Sequence, residues 1–321
     1  MLYPEITELF SYYRNPNYCL EVLKKKEIYL SAPESFNDPF DCCMPYNSEI
    51  TEECVAFGLI KKNKKQGLIH IKSVLDETFT EDFKFADEKL PLIEEIKNDF
   101  QKYATETNIY CLTEDPLSIL MWSHYGMKHQ GICLGFKRTP HNTLGDDDIC
   151  SPILYSDFFP HPAIEEGFDR PGAFSQSFFY TKARNWEYER EWRLLAERQD
   201  GATWAPLPGD ISCIILGYKF DREFAPDFLA TLLEYYNCVK YIDSHEAEEA
   251  IWEKISNPSP LNPESDESNP SSSSGAKNQN DTAENGRNES QQTGTVALQR
   301  VLPVPNAYKL KLTTLAQLVP R

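Results

Sequence analysis

The chain of 321 residues carries 50 Asp and Glu against 32 Lys and Arg, a net charge of −18, and 40% of it is hydrophobic. That composition supplies a core but excludes a broad surface for duplex nucleic acid or anionic membrane, leaving room only for a local basic groove. Nine cysteines without a Cys-x-x-Cys pair point to reduced thiols in a cytoplasmic protein, and neither a signal peptide nor an apolar run of roughly 20 residues is visible.

In chain order, LFSYYR (9–14) reads as a short strand, NPNYCLEVLKKK (15–26) as a helix opened by Asn15-Pro16, and EIYLSAP (27–33) as a strand. Acidic, helical-looking sequence fills roughly 49–104. TNIYCLTE (107–114) and QGICLGFK (130–137) are predicted strands flanking DPLSILMWSHYG, which starts at an Asp-Pro helix entry. SPILYSDF (151–158) is a further strand, WEYEREWRLL (186–195) another, and DISCIILGYKF (210–220) a strong one. REFAPDFLATLLEYY (222–236) is an amphipathic helix, and VKYIDS (239–244) a closing strand.

The expected fold class is α+β: a mixed, mainly antiparallel sheet with flanking helices over 1–256. Residues 257–295 are Pro, Ser, Asn, Gly and Glu with almost no large apolar residue, the composition of a disordered linker. A short basic, apolar tail (296–321) follows, with four Lys/Arg and no acid. It could dock back on the acidic domain, bind a partner, or do neither.

Three segments could carry chemistry. In YLSAPESFNDPFDCC (29–43), Asn37-Asp38-Pro39 followed by Asp41 is first of all a turn, with Phe36 and Phe40 as anchors. Two carboxylates and an amide packed this closely also suit a ligand pocket. In MWSHYGMKHQGICLGF (121–136), His124 and His129 are five apart, a poor match to a helical zinc pair, so no metal site is predicted there. Gly126 near a helix C-cap is the structural reading, and His124 as a polar ligand contact the functional one.

In WEYEREWRLL, read as a strand, Trp186, Tyr188, Trp192 and Leu194 share one face, the core side. Glu187, Glu189, Glu191 and Arg193 share the other. Such a face on an edge strand blocks aggregation, but crowded carboxylates also shift pKa values toward useful ones. This face is predicted to look into a pocket with FNDPFD and His124.

YYR, IYLSAPESFNDPFD, MWSHYGMKHQGICLGF, ILYS and KARNWEYEREWRLL, in that order over roughly Leu9 to Tyr218, resemble the bacterial family called domain of unknown function 2971. The order of an arginine, Tyr-x-Ser and a late Glu-x-Glu is also similar to ADP-ribosyltransferases. That likeness implies NAD as cofactor, an unknown macromolecular acceptor, and a role in bacterial conflict or phage defence. It makes Glu191 the catalytic carboxylate, with Glu189 orienting the acceptor. Arg14 would hold an NAD phosphate or ribose and Ser31 the nicotinamide ribose; Tyr29, Asn37, Asp38, His124 and Tyr125, candidates from the segments themselves and not from that likeness, would complete the site. The chain departs from that pattern at Ser31-Ala32-Pro33, in the short Arg14–Ser31 spacing, and in FNDPFD and MWSHYG, which have no counterpart there.

Two further readings stand beside this one. In the first, Asp38, Asp41, Glu189 and Glu191 hold a divalent cation for a nuclease or phosphohydrolase. In the second, the chain is a non-enzymatic module sensing a small nucleotide-like ligand.

Overall fold

The computed structural model describes residues 1–42, 52–91, 106–158, 179–197, 203–241, 243–258, 294–304 and 307–321. Its elements are β1 (Glu8–Tyr13), α1 (Pro16–Lys25), β2 (Glu27–Tyr29), α2 (Glu52–Lys62), α3 (Leu68–Thr78), β3 (Thr107–Thr113), α4 (Ile119–His124), β4 (Ile132–Lys137), β5 (Cys150–Pro152) and β6 (Leu154–Ser156). There follow β7 (Thr181–Ala183), β8 (Glu191–Glu197), β9 (Trp204–Pro206), β10 (Ile211–Leu216), α5 (Phe228–Tyr235), β11 (Tyr236–Cys238), α6 (Ser244–Ser256), β12 (Val296–Pro303) and β13 (Leu310–Pro320).

The α+β class is observed. Nine strands form one sheet in the order β11-β13-β12-β10-β4-β1-β3-β8-β5. Every neighbour pair is antiparallel except β10 with β12. The central strands β4 and β10 are buried almost along their length, so ICLGFK and ISCIIL need apolar residues on both faces.

Local signals place α1 as its sequence implies. Asn15 accepts the amide of Asn17 at 3.0 Å, Pro16 occupies the first turn, and Lys26 ends the helix in a left-handed conformation at φ 57°. With α5 and α6, α1 covers one face of the sheet. Val22, Leu229, Leu232, Ile251 and Trp252 pack there on Leu9, Leu134, Trp192 and Ile214. The opposite face carries Phe10, Cys111, Arg193 and Cys133, because cross-strand partners share a side. Part of that face is covered by Trp122 of α4, which packs with Phe10, Cys133 and Ile215.

SPILYSDF and VKYIDS differ from expectation. SPILYSDF is split between β5, which pairs with β8, and β6, which pairs with β7. The closing strand is not VKYIDS but Tyr236–Cys238, and Val239 is exposed. It forms directly after α5 because β13 supplies its partner, with Tyr236 opposite Pro320 and Cys238 opposite Leu318. That partner lies too far along the chain for a local pattern to foresee.

The basic segment 296–321 docks back: β12 lies beside β10, and β13 closes against β11. Val296, Leu298, Leu315 and Leu318 enter the core beside α6, so the folded unit extends past 256. Nearly all of the predicted linker lies outside the described residues, as does 92–105 of the acidic helical stretch. Among the described residues no helix is long and apolar enough to cross a membrane.

Candidate functional site

The segment WEYEREWRLL is not one continuous strand. Residues Arg184–Glu189 form a short 3₁₀ helix, Arg190 turns left-handed at φ 44°, and β8 begins only at Glu191. The four-residue charged face therefore does not exist. Glu187 is exposed and pairs with Arg184, while Trp186 and Tyr188 are half-buried on the tight helix instead of sharing the core side with Trp192. Nor is β8 an edge, since it lies between β3 and β5. Trp192 does face the core, donating to Glu114 at 2.7 Å.

The kink at Arg190 brings Glu189 back to the side of Glu191 and Arg193, and these three are buried with Asp41 and Lys182. Arg193 Nη2 reaches both oxygens of Asp41, at 2.8 and 2.6 Å, and its Nε donates to Glu191 Oε1 at 2.8 Å. Its Nη1 donates to the Phe179 carbonyl at 2.7 Å and approaches Cys42 Sγ at 3.1 Å. Lys182 Nζ lies 2.6 Å from Glu189, 2.8 Å from Glu191 and 3.3 Å from Asp41. Three carboxylates and two cations thus form one buried network in which each cation answers more than one acid. Such a cluster is tolerable only when its partners are satisfied.

The two glutamates sit in different electrostatic environments. Burial alone would raise the Glu191 carboxyl, but Arg193 and Lys182 outweigh it and hold the group down at about 2. Burial raises Glu189 above its ordinary value, and the neighbouring Glu191 adds to that against the pull of Lys182. Glu191 is thus held toward its anionic form, whereas Glu189 is shifted toward its protonated form.

Glu189 has a further partner outside the ion network. Tyr125, at the end of α4, donates its hydroxyl to Glu189 Oε1 at 2.8 Å, and Asn37 bonds the same hydroxyl. The guanidinium carbon of exposed Arg14 lies 5.8 Å from the centre of the Tyr125 ring. His124 is exposed, and its Nδ1 is 3.2 Å from the Tyr188 hydroxyl. Cys111, opposite Arg193 in the sheet, is solvent-exposed in the middle of β3. Yet burial among protein atoms, with Glu191 nearby, pushes its thiol well up.

The structure brings together Arg14, Asn37, Tyr125, Glu189 and Glu191 of the residues nominated from sequence, with His124 beside them through Tyr188. It does not bring in the others. Asp38 caps its own turn, accepting the Phe40 amide at 2.9 Å. Ser31 is held by paired backbone bonds to Ile109, each 2.8 Å. The ring partner of Tyr29 is Trp204, in the β2–β9 pair.

Lys182 and Tyr155, whose hydroxyl accepts the Glu191 amide at 2.8 Å, lie in KARNWEYEREWRLL and ILYS, and Cys111 in TNIYCLTE, but nothing in those segments singles them out as site residues. Among the described residues no group of His, Cys, Asp and Glu is arranged to hold a metal ion. The place that Asp41, Glu189 and Glu191 would offer to a cation is filled by the Lys182 ammonium.

Residues 121–194 match the family described as protein of unknown function, DUF2971. The matched segment carries MWSHYG, Lys182 and both network glutamates, and the fold joins it to FNDPFD through Arg193 and Asp41. No curated protein and no solved structure matches the chain, so the likeness to ADP-ribosyltransferases has only the residues themselves behind it.

Proposed function

We propose that this chain, with its DUF2971 segment, binds a nucleotide-like ligand over Tyr125 and Glu189, and that Glu189 exchanges the proton of the reaction. The observation behind this reading is the file Arg14–Tyr125–Glu189. An exposed, permanently charged fork stands 5.8 Å from an aromatic ring whose hydroxyl is 2.8 Å from a carboxylate. Such a file offers a grip for phosphate, a surface for a sugar or base, and a titrating acid, within one side-chain length of each other.

NAD is the proposed cofactor. The bond between nicotinamide and ribose would break with its electron pair going to the ring nitrogen. An acceptor hydroxyl would then add to the ribose carbon and lose its proton to Glu189. A carboxylate whose pKa is raised by burial suits that role, and one facing developing positive charge also stabilises it. This assigns the central part to Glu189 in place of Glu191: two cations, Arg193 and Lys182, bind Glu191, whereas Glu189 answers Lys182 alone and takes its other bond from the neutral Tyr125 hydroxyl. The metal-dependent reading is disfavoured because Lys182 holds the three acids.

The test is thermal stability with NAD or ADP-ribose, alongside release of free nicotinamide, for the native chain, Glu189→Gln and Arg14→Ala. Stabilisation that weakens in Arg14→Ala, with nicotinamide release abolished in Glu189→Gln, is the expected result. Stabilisation without release would reduce the reading to a binding module. No stabilisation by either nucleotide at millimolar concentration would overturn it, because any useful site fills there.

A further inference from the structure

Residues 55–75 contain five lysines (61, 62, 64, 65 and 72) and no acid, in a chain whose net charge is −18. This is the one strongly basic stretch of its length ahead of the C-terminal segment, and the site described above makes no use of it. Lys64, Lys65 and Lys72 are exposed.

The same place carries two fully displayed aliphatic side chains. Leu68 and Ile69, the first two residues of α3, are 84% and 91% exposed. They are not the inner side of that helix: Leu75, with Phe79 just beyond α3, packs on Val55 and Ala56 of α2, while the N-terminal turn projects beyond this small core. Gly67, at φ 89°, makes the bend that presents them, directly after the Lys64–Gln66 turn.

We propose that this lysine-flanked aliphatic tip docks on an anionic lipid surface, with Leu68 and Ile69 entering the boundary between headgroups and acyl chains. The chemistry selects that partner. Adjacent exposed aliphatics gain from leaving water, and lysines around them gain from negative headgroups, the pairing that interfacial anchors use. Lysines serve nucleic-acid phosphates as well, but two exposed aliphatics have no partner there, and residues 61–72 contain no Phe, Tyr or Trp to stack on a base. Side chains as exposed as Leu68 and Ile69 stand out from the surface, so they suit a deformable phase better than they offer a groove to a peptide. The acidity of the rest of the chain limits contact to this one corner, which makes the attachment reversible and dependent on salt.

The experiment is flotation of the full chain with vesicles of phosphatidylcholine alone, and with vesicles that also contain an equal share of phosphatidylglycerol. The expected result is binding to the anionic vesicles only, reduced about tenfold by raising salt. Leu68→Ser with Ile69→Ser, and separately Lys64→Glu with Lys65→Glu, should each abolish it. Both pairs are exposed and leave the α2–α3 core intact, which an unchanged melting temperature will verify. The proposal is overturned by absence of binding to anionic vesicles at low salt. Equal binding to neutral vesicles, or binding that survives the Leu68/Ile69 change, also overturns it, as does a nucleic acid or acidic peptide that competes for the lysines without needing the aliphatic pair.

Discussion

Arg193 holds Asp41 through a single nitrogen that reaches both carboxylate oxygens, at 2.8 and 2.6 Å, across 152 residues of sequence. This contact fastens the FNDPFD loop to the face of the main sheet. It also orders the loop that presents Asn37 to Tyr125. The charged network therefore shapes the site as well as stabilising the fold.

Replacing Arg193 by Met leaves Asp41 and Glu191 buried beside one remaining cation, Lys182. Breaking a buried pair in this way costs about 3–5 kcal/mol, and urea unfolding should register that loss. Arg193→Lys should recover little of it, since an ammonium cannot serve Asp41, Glu191 and the Phe179 carbonyl together. A cost under about 1 kcal/mol, the worth of an exposed pair, would show that the network is not formed in solution.

The Glu191 carboxyl is held at about 2 against an ordinary 4.5. A group depressed on folding stabilises above its unfolded value and loses that contribution as pH falls through the folded one. Here the window runs from 4.5 down to about 2, and the contribution is on the order of 3 kcal/mol. The stability difference between the native chain and Glu191→Gln should therefore be largest near neutrality and shrink as pH falls through that window. A difference independent of pH would refute the ion pairing.

Glu189 has the opposite sign. Its carboxyl is raised above 4.5, so its protonated form is favoured by folding. The corresponding stability is present below 4.5 and is lost as pH rises through the folded value. Glu189→Gln imitates the protonated form, so the variant should gain on the native chain as pH rises above 4.5 and then level off. Parallel denaturation series for the two glutamine variants should bend in opposite directions.

Deleting residues 294–321 removes β12 and β13, and with them Val296, Leu298, Val301, Leu315 and Leu318 from the core. At about 1.5–3 kcal/mol for each of these five buried aliphatics, the loss is comparable with the whole stability of an ordinary domain, about 5–15 kcal/mol. The truncated chain should be insoluble or lack a cooperative melting transition. Co-expression with a separate 294–321 segment should restore folding, because the parallel β10–β12 pairing does not need a covalent link at that point. A truncated chain that melts like the full one would contradict this.

Much of the architecture is legible one residue at a time. Asn15-Pro16 announces α1, unbroken apolar runs announce β4 and β10, and the patterning places β1 and β3 within a residue or two. These are local effects of capping, backbone dihedrals and side-chain periodicity, so a linear text can carry them. MWSHYG and FNDPFD are visible as motifs for the same reason.

What the text cannot carry is who meets whom. The alternation of WEYEREWR reads as a strand, but Arg190 turns left-handed and folds Glu189 back beside Glu191. Lys182 merely opens the segment KARNWEYEREWRLL, yet it occupies the centre of three carboxylates. Segment 296–321 looks like a separable tail because its partners, β10 and β11, lie far away in sequence. Composition, charge and most element types were determined by the sequence alone. The difference between a locked Glu191 and a titrating Glu189 was decided only by the tertiary structure, because burial and the distance to a cation set a carboxyl's pKa, and neither is a property of neighbouring residues in the chain.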